Sequence, residues 1–192
     1  TVALESVGKL INLKPVRNII LPELKNAVAY LASAAVKVDG EFLNLAPNLK
    51  VIGSPSTGTD HLNIDLIKKK NITLFDISKE YSLINQFTAT SELAFCLMLS
   101  ITRKIFEASS DAKNGIWSRE KFSGFQLSRK LLGIIGMGRL GKITCRIAKG
   151  FGMNVIAYDP FVHKYDGVEF TSLEELLKLS DIVSLHLHLN QE

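Results

Sequence analysis

The chain has 192 residues, a hydrophobic fraction of 46% and a formal net charge of +4. That length holds one large domain or two small ones, and the composition is that of a globular core. The charge is a mild excess spread along the chain: it suits an anionic ligand and gives no indication of nucleic acid.

The most apolar run, near residues 93–99, is far shorter than the ~20 residues of a membrane span. No secretory leader pattern stands at the N-terminus. The two cysteines, Cys96 and Cys145, fall in helix-like stretches. No disulfide is expected, and the expected compartment is the reducing cytoplasm.

Short apolar runs alternate with helical patterns along the chain. Residues 16–20, 32–36, 49–53, 72–75, 131–135, 154–158 and 182–186 read as buried strands. They are short, branched and not clearly alternating, as parallel strands covered on both faces should be. A helix is expected over residues 60–70, with Lys68, Lys69 and Lys70 at the end where cations meet the helix dipole. The longest helical pattern covers residues 87–106, and residues 109–129 then read as polar and irregular. A further helix is expected over residues 173–179, opened by a capping box of Thr171 and Glu174. This order implies an α/β protein with doubly wound parallel sheets, two of them. The boundary falls near Asn85, giving domains 1–84 and 85–192, with the long helix opening the second and bridging to the first.

The stretch "LLGIIGMGRLGKITCRIAKGFGMNVIAYDP" carries the most chemistry. Ile134 and Ile135 end an apolar run, and Gly136, Gly138 and Gly141 follow at once. Leu140, Ile143 and Ile147 then recur at helical spacing, so the glycines stand where a strand turns into a helix, as a dinucleotide fingerprint requires. Gly136 permits the tight turn, Gly138 lets a pyrophosphate approach the backbone, and Gly141 lets the helix pack close on the strand. The phosphates would sit on the free N–H groups and positive end of that helix. The next apolar run ends at Asp159, eighteen residues past Gly141. A carboxylate there can bind adenosine ribose hydroxyls and would repel a 2′-phosphate, which favours NAD over NADP.

These residues resemble the D-isomer-specific 2-hydroxyacid dehydrogenase family, whose members include D-3-phosphoglycerate, glycerate, D-lactate and formate dehydrogenases. Upstream, "LKVIGSPSTGTDHLNIDLIKKKNITLFD" resembles the end of that family's substrate domain. "TATSELAFCLML" resembles the helix that begins its NAD domain, and "NGIWSREKFSGFQL" the segment leading into its Rossmann strand. "TSLEELLKLSDIVSLHLHLNQE" resembles the helix and strand that follow. Residues 49–192 match well, and residues 1–48 only loosely.

The resemblance implies a flavodoxin-like substrate-binding domain over residues 1–84, lacking its first strand, and an incomplete Rossmann NAD-binding domain over residues 85–192. It implies that the loop at Ser56, Thr57 and Gly58 presents backbone N–H groups to a substrate carboxylate. A glycine-containing turn can aim such donors without a bulky side chain. It places Arg139 and Leu140 against the pyrophosphate, with Gly136, Gly138, Gly141 and Asp159 completing the cofactor set. The implied partners are NAD, a small 2-hydroxy or 2-oxo acid and a second copy of the chain, with no nucleic acid and no membrane.

Three positions depart from the pattern. Ser54 stands where some phosphoglycerate enzymes of the family have arginine, Arg129 where many members have glycine, and His188 where many have proline. His186 and His188 share one side of a strand, but with no third ligand nearby no metal site is expected. Asp181 reads as a turn residue and His61 as a helix-start residue beside the substrate loop.

Reduction of a 2-oxo acid needs a cation to hold the carboxylate and an acid–base group to move the hydroxyl proton. In the family these are an arginine and a histidine–glutamate pair, expected after Glu192. The 192 residues alone are therefore expected to be inactive. The implied activity is NAD-dependent interconversion of a D-2-hydroxy acid and its 2-oxo acid. The other reading is a non-catalytic NAD-binding regulator on the same fold, as the family's corepressors illustrate.

Overall fold

The computed structural model describes Ser6 and residues 8–187. The chain divides into two compact units, Thr1–Ile84 and Asn85–Glu192.

The first unit begins with a helical turn, α1 (Arg17–Ile20), which continues as the 3-10 helix Leu21–Asn26. Then come β1 (Ala29–Leu31), α2 (Gly40–Leu45), β2 (Val51–Ser54), α3 (Ile64–Lys69), β3 (Thr73–Asp76) and α4 (Tyr81–Ile84). The sheet runs β1-β2-β3, and both pairings are parallel.

Two expected strands are absent here. Residues 16–20 form a helical turn, because the proline at the head of the following 3-10 helix suits helix entry and cannot donate to a strand ladder. The turn is also held from outside: the Arg17 guanidinium donates to Asp39 Oδ1 at 2.8 Å, Glu41 Oε2 at 2.7 Å and the Lys37 carbonyl at 2.8 Å. Residues 32–36 leave the sheet. Ala32 N–H still donates to the Gly53 carbonyl at 2.7 Å, but Val36 N–H closes a turn on the Ser33 carbonyl. Ala32 and Val36 are buried because that turn folds onto the core, not because they pair with a strand.

Tyr30, Ile52 and Leu74 align across the three strands and join the core cluster with Phe42 and Leu43. The opposite row, Leu31, Gly53 and Phe75, faces outward, with Leu31 65% and Phe75 64% exposed. Among the described residues, nothing covers this face of the sheet, where covering on both faces was expected.

The second unit opens on α5 (Ala89–Thr102) and α6 (Ile105–Lys113), two helices where one was expected. Lys104 sits between them at φ 51°, in the left-handed region. The carbonyl of Thr102 accepts the N–H of Phe125 at 3.2 Å, so the end of α5 is capped by a distant loop. After the 3-10 helix Glu120–Phe122 come β4 (Leu131–Ile135), α7 (Arg139–Gly150), β5 (Asn154–Tyr158), β6 (Glu169–Phe170), α8 (Leu173–Leu179) and β7 (Ile182–Leu185). The two-residue β6 is too short to register as an apolar run. The N-cap of α8 is Ser172, one residue later than expected: its hydroxyl accepts Glu175 N–H at 3.2 Å, and Thr171 bonds the Glu175 carboxylate instead.

This sheet runs β6-β5-β4-β7, all parallel, and is covered on both faces. Leu132 and Ile134 pack with Phe95, Met98, Cys145 and Ala148. Ile135 and Ile156 pack with Leu176 of α8 on the other side. Asp181 ties the start of β7 to β4, accepting from Leu131 N–H at 2.8 Å and Lys130 Nζ at 2.9 Å.

Arg129 has φ 65° and donates its N–H to the Gly152 carbonyl at 2.8 Å. A side chain in that region costs about 1–2 kcal/mol that glycine would not. The left-handed backbone explains why glycine suits this position. Cys96 is an exposed free thiol and Cys145 a buried one.

Candidate functional site

In the second sheet, β5 and β6 lie on one side of β4 and β7 on the other. The connections therefore run in opposite directions from β4. The carboxyl ends of β4 and β7 mark the switch in strand order, the place where parallel α/β sheets hold their ligands. The glycine turn at 136–141 lies at that point.

Gly136 has φ 97°, and a Cβ there would lie 2.5 Å from the His186 carbonyl oxygen at the end of β7. Its N–H donates to the Tyr158 carbonyl at 2.9 Å. Gly141 is buried, and a Cβ on it would lie 2.0 Å from the Gly136 carbonyl oxygen. Gly138 differs from both. It is exposed, and a Cβ on it would meet nothing within 4 Å. The two outer glycines are packing positions, and the middle one leaves open space in front of the backbone.

Gly138 is the N-cap of α7, which has no side-chain cap and no acidic residue in its first turn. The N–H groups at that end, with the helix dipole behind them, form a ready anion cradle. Leu140 is half-buried, and its carbonyl accepts from the Ser91 hydroxyl at 3.3 Å. Arg139 Nη1 donates to the Phe87 carbonyl at 2.9 Å, so this guanidinium reaches back to the segment before α5.

Asp159 follows β5 at the same edge. Its Oδ2 accepts Met137 N–H at 2.7 Å, and its Oδ1 accepts Phe161 N–H at 2.8 Å and Val162 N–H at 2.9 Å. Partial burial pushes this carboxyl up, but the three backbone donors and nearby His163 together hold it below the usual carboxylate range. The stability it contributes is thus present above the ordinary carboxylate pKa and is lost as pH falls through its lowered value.

The loop at Ser56, Thr57 and Gly58 belongs to the first unit, at the carboxyl end of β2, and all three residues are half-exposed. Its base is fixed. Val38 N–H donates to the His61 carbonyl at 2.8 Å, and Asn63 N–H to the Val38 carbonyl at 3.0 Å. Ser54 and His61 are both buried, with Ser54 Oγ 3.5 Å from His61 Nε2. Among the described residues no backbone acceptor meets the N–H groups of Ser56, Thr57 or Gly58. The loop can therefore offer donors to an anion.

Residue-by-residue reading missed Met137, Tyr158 and Phe87. All three enter through backbone atoms, which no side-chain pattern reports. His188 lies outside the described residues. Among the described residues no group of three or more His, Cys, Asp or Glu could hold a metal ion.

The chain is similar to known proteins. Residues 95–192 match the model of the D-isomer specific 2-hydroxyacid dehydrogenase NAD binding domain, and residues 7–95 that of the same family's catalytic domain. A glyoxylate reductase from Thermococcus litoralis is 34% identical over 93% of this chain, which spans 56% of that protein. A D-3-phosphoglycerate dehydrogenase from Methanocaldococcus jannaschii is 34% identical over 88% of this chain, which spans 32% of that protein. The structure of an Aquifex aeolicus D-lactate dehydrogenase, complexed with NAD and lactic acid, superposes with a TM-score of 0.73 at 32% identity. That match covers 87% of this chain and 50% of the other. With the two family matches running from residue 7 to residue 192, the chain belongs to the D-isomer specific 2-hydroxyacid dehydrogenase family.

Proposed function

We propose that the whole protein is an NAD-dependent oxidoreductase that interconverts a D-2-hydroxy acid and its 2-oxo acid, phosphoglycerate dehydrogenase-like in class. The observation that carries this reading is the open backbone at Gly138, at the head of an uncapped helix and at the sheet's switch point, with Asp159 just past the end of the neighbouring strand β5.

The residues fit a dinucleotide. Gly138, Arg139, Leu140 and Gly141 bring backbone N–H groups to the pyrophosphate, and Gly136 sets the turn. Asp159 faces the adenosine ribose. The nicotinamide ring, when bound, supplies the hydride acceptor. Ser56, Thr57 and Gly58 orient the substrate through its carboxylate, which fixes the face presented for reaction. Those N–H donors bind without a proton of their own to transfer, so they position the acid and leave proton movement to other groups.

The test uses the full-length protein with NAD and the D and L enantiomers of lactate, glycerate and 3-phosphoglycerate. NADH formation with D enantiomers alone is expected. Turnover of L enantiomers would overturn the stereochemical class. NADH binding with no turnover of any acid would favour the non-catalytic regulator.

Cofactor preference is a separate expectation. A 2′-phosphate beside the Asp159 carboxylate is repelled by about 1 kcal/mol or more at ~4 Å, even in water-like surroundings. NADH should therefore bind the wild type about fivefold or more tighter than NADPH. Asp159→Ala should narrow that ratio. Side-by-side titrations check it, and equal wild-type affinities would contradict it.

We further propose a cytoplasmic homodimer. Leu93, Leu97 and Ile101 recur at four-residue spacing on α5 and are 50–74% exposed, and Phe106 and Trp117 nearby in sequence are exposed too. A face this apolar favours burial against a second copy. No helix of the described residues is long and apolar enough to cross a membrane.

A further inference from the structure

We propose that Asp159 is a positioning residue for the phosphate cradle: by accepting Met137 N–H it holds the glycine turn open, independently of any bond to the cofactor's ribose. This rests on the reading of the turn as the dinucleotide site.

The turn is stitched to the end of β5 by two successive donors. Gly136 N–H reaches the Tyr158 carbonyl at 2.9 Å and continues the β4–β5 ladder. Met137 N–H, one residue on, meets no further carbonyl of β5. The Asp159 carboxylate takes that place, at 2.7 Å. Its other oxygen is anchored by Phe161 and Val162 N–H, so the carboxylate is clamped to its own loop. The Met137 side chain is wholly buried, which fixes the peptide from the opposite side. The clamp therefore acts where φ turns positive at Gly136, immediately before the open Gly138.

An ionised carboxylate has about four acceptor positions. Three are taken by backbone N–H groups, which leaves room for one ribose hydroxyl and not for two. On this account the acidic residue does more than read the ribose. Losing it frees the Met137 N–H and loosens the cradle, whatever sugar the ligand carries.

The test compares ADP with 2′,3′-dideoxy-ADP, which lacks both ribose hydroxyls, by calorimetry on the full-length protein. Wild type, Asp159→Ala and Asp159→Asn are measured. The asparagine variant keeps the volume, but its amide nitrogen presents a donor either to Met137 N–H or to the Phe161 and Val162 N–H pair, so in either orientation one end of the clamp is broken. If alanine fails to fold, Asp159→Asn carries the test alone. Thermal melting checks that each variant is folded, and hydrogen exchange reports the Met137 N–H directly.

In the folded variants, 2′,3′-dideoxy-ADP should weaken about tenfold through loss of the clamp, and ADP by at least as much because it also loses a ribose contact. Exchange at Met137 should rise while Ile134 in β4 stays protected. Weakening of ADP with unchanged binding of 2′,3′-dideoxy-ADP would overturn the proposal, because Asp159 would then act through the ribose alone. So would unchanged exchange at Met137. If the wild type binds neither nucleotide, the reading of the site fails first and this inference falls with it.

Discussion

Gly138→Val in the full-length protein is expected to weaken NADH binding about a hundredfold or more while leaving the melting temperature within a few degrees of wild type. The backbone there has φ −69° and ψ −157°, extended and with negative φ, so it lies outside the left-handed region that only glycine enters freely. A Cβ meets no protein atom within 4 Å and the residue is exposed, so the fold has room for the side chain. On the proposed reading, that room is the space the phosphates need. Two methyl groups would stand between the ligand and the helix N–H groups, and hydrogen bonds to anions do not survive such separation. Calorimetric titration with NADH and a thermal melt read the two halves of the expectation. Near wild-type affinity would reduce the glycine turn to a packing motif.

Gly141→Val should fail by the opposite route. Its Cβ would fall 2.0 Å from the Gly136 carbonyl oxygen and 3.4 Å from the Ile134 side chain. The first contact is with backbone, which cannot rotate away as a side chain can. Helix α7 would have to move off β4, opening the contacts that Cys145 and Ala148 make in the main core cluster. Overpacking of this kind costs about 3 kcal/mol or more, which corresponds to a fall of about 10 °C or more in the melting temperature for a unit of this size. NADH binding would be lost only as a consequence. A variant that melts like wild type would show that α7 and β4 are not held together at this glycine.

How much of this was legible in the sequence depends on where each interaction resides. The bounds of β4, β5 and α8 coincide with the apolar and helical runs read from the sequence. Those elements bury their own pattern, in a sheet covered on both faces, and carry start and stop residues beside them. The misread elements depend on distant partners. Residues 16–20 look like a strand, but Arg17 is drawn to Asp39 and Glu41 more than twenty residues away. Residues 32–36 are apolar because a turn presses them into the core. The break at Lys104 coincides with a loop at Gly124 and Phe125 lying against the end of α5.

The glycine turn was legible as a strand-to-helix turn because its spacing is short-range. The difference between an open Gly138 and closed Gly136 and Gly141 was anticipated from the fingerprint's logic and is visible as geometry. The clamp of Asp159 on Met137 was not legible, since a carboxylate that binds backbone leaves no mark at the residue it binds. Arg139 likewise pairs with a carbonyl fifty-two residues earlier.

Equilibrium titration of NADH into the full-length wild-type protein, with ADP as competitor, tests the central claim most directly. The account predicts saturable binding of one NADH per chain, displaced by ADP, because the adenosine and pyrophosphate half of the ligand engages the turn at 136–141 and Asp159. Absence of saturable binding, or binding that ADP does not displace, would contradict it.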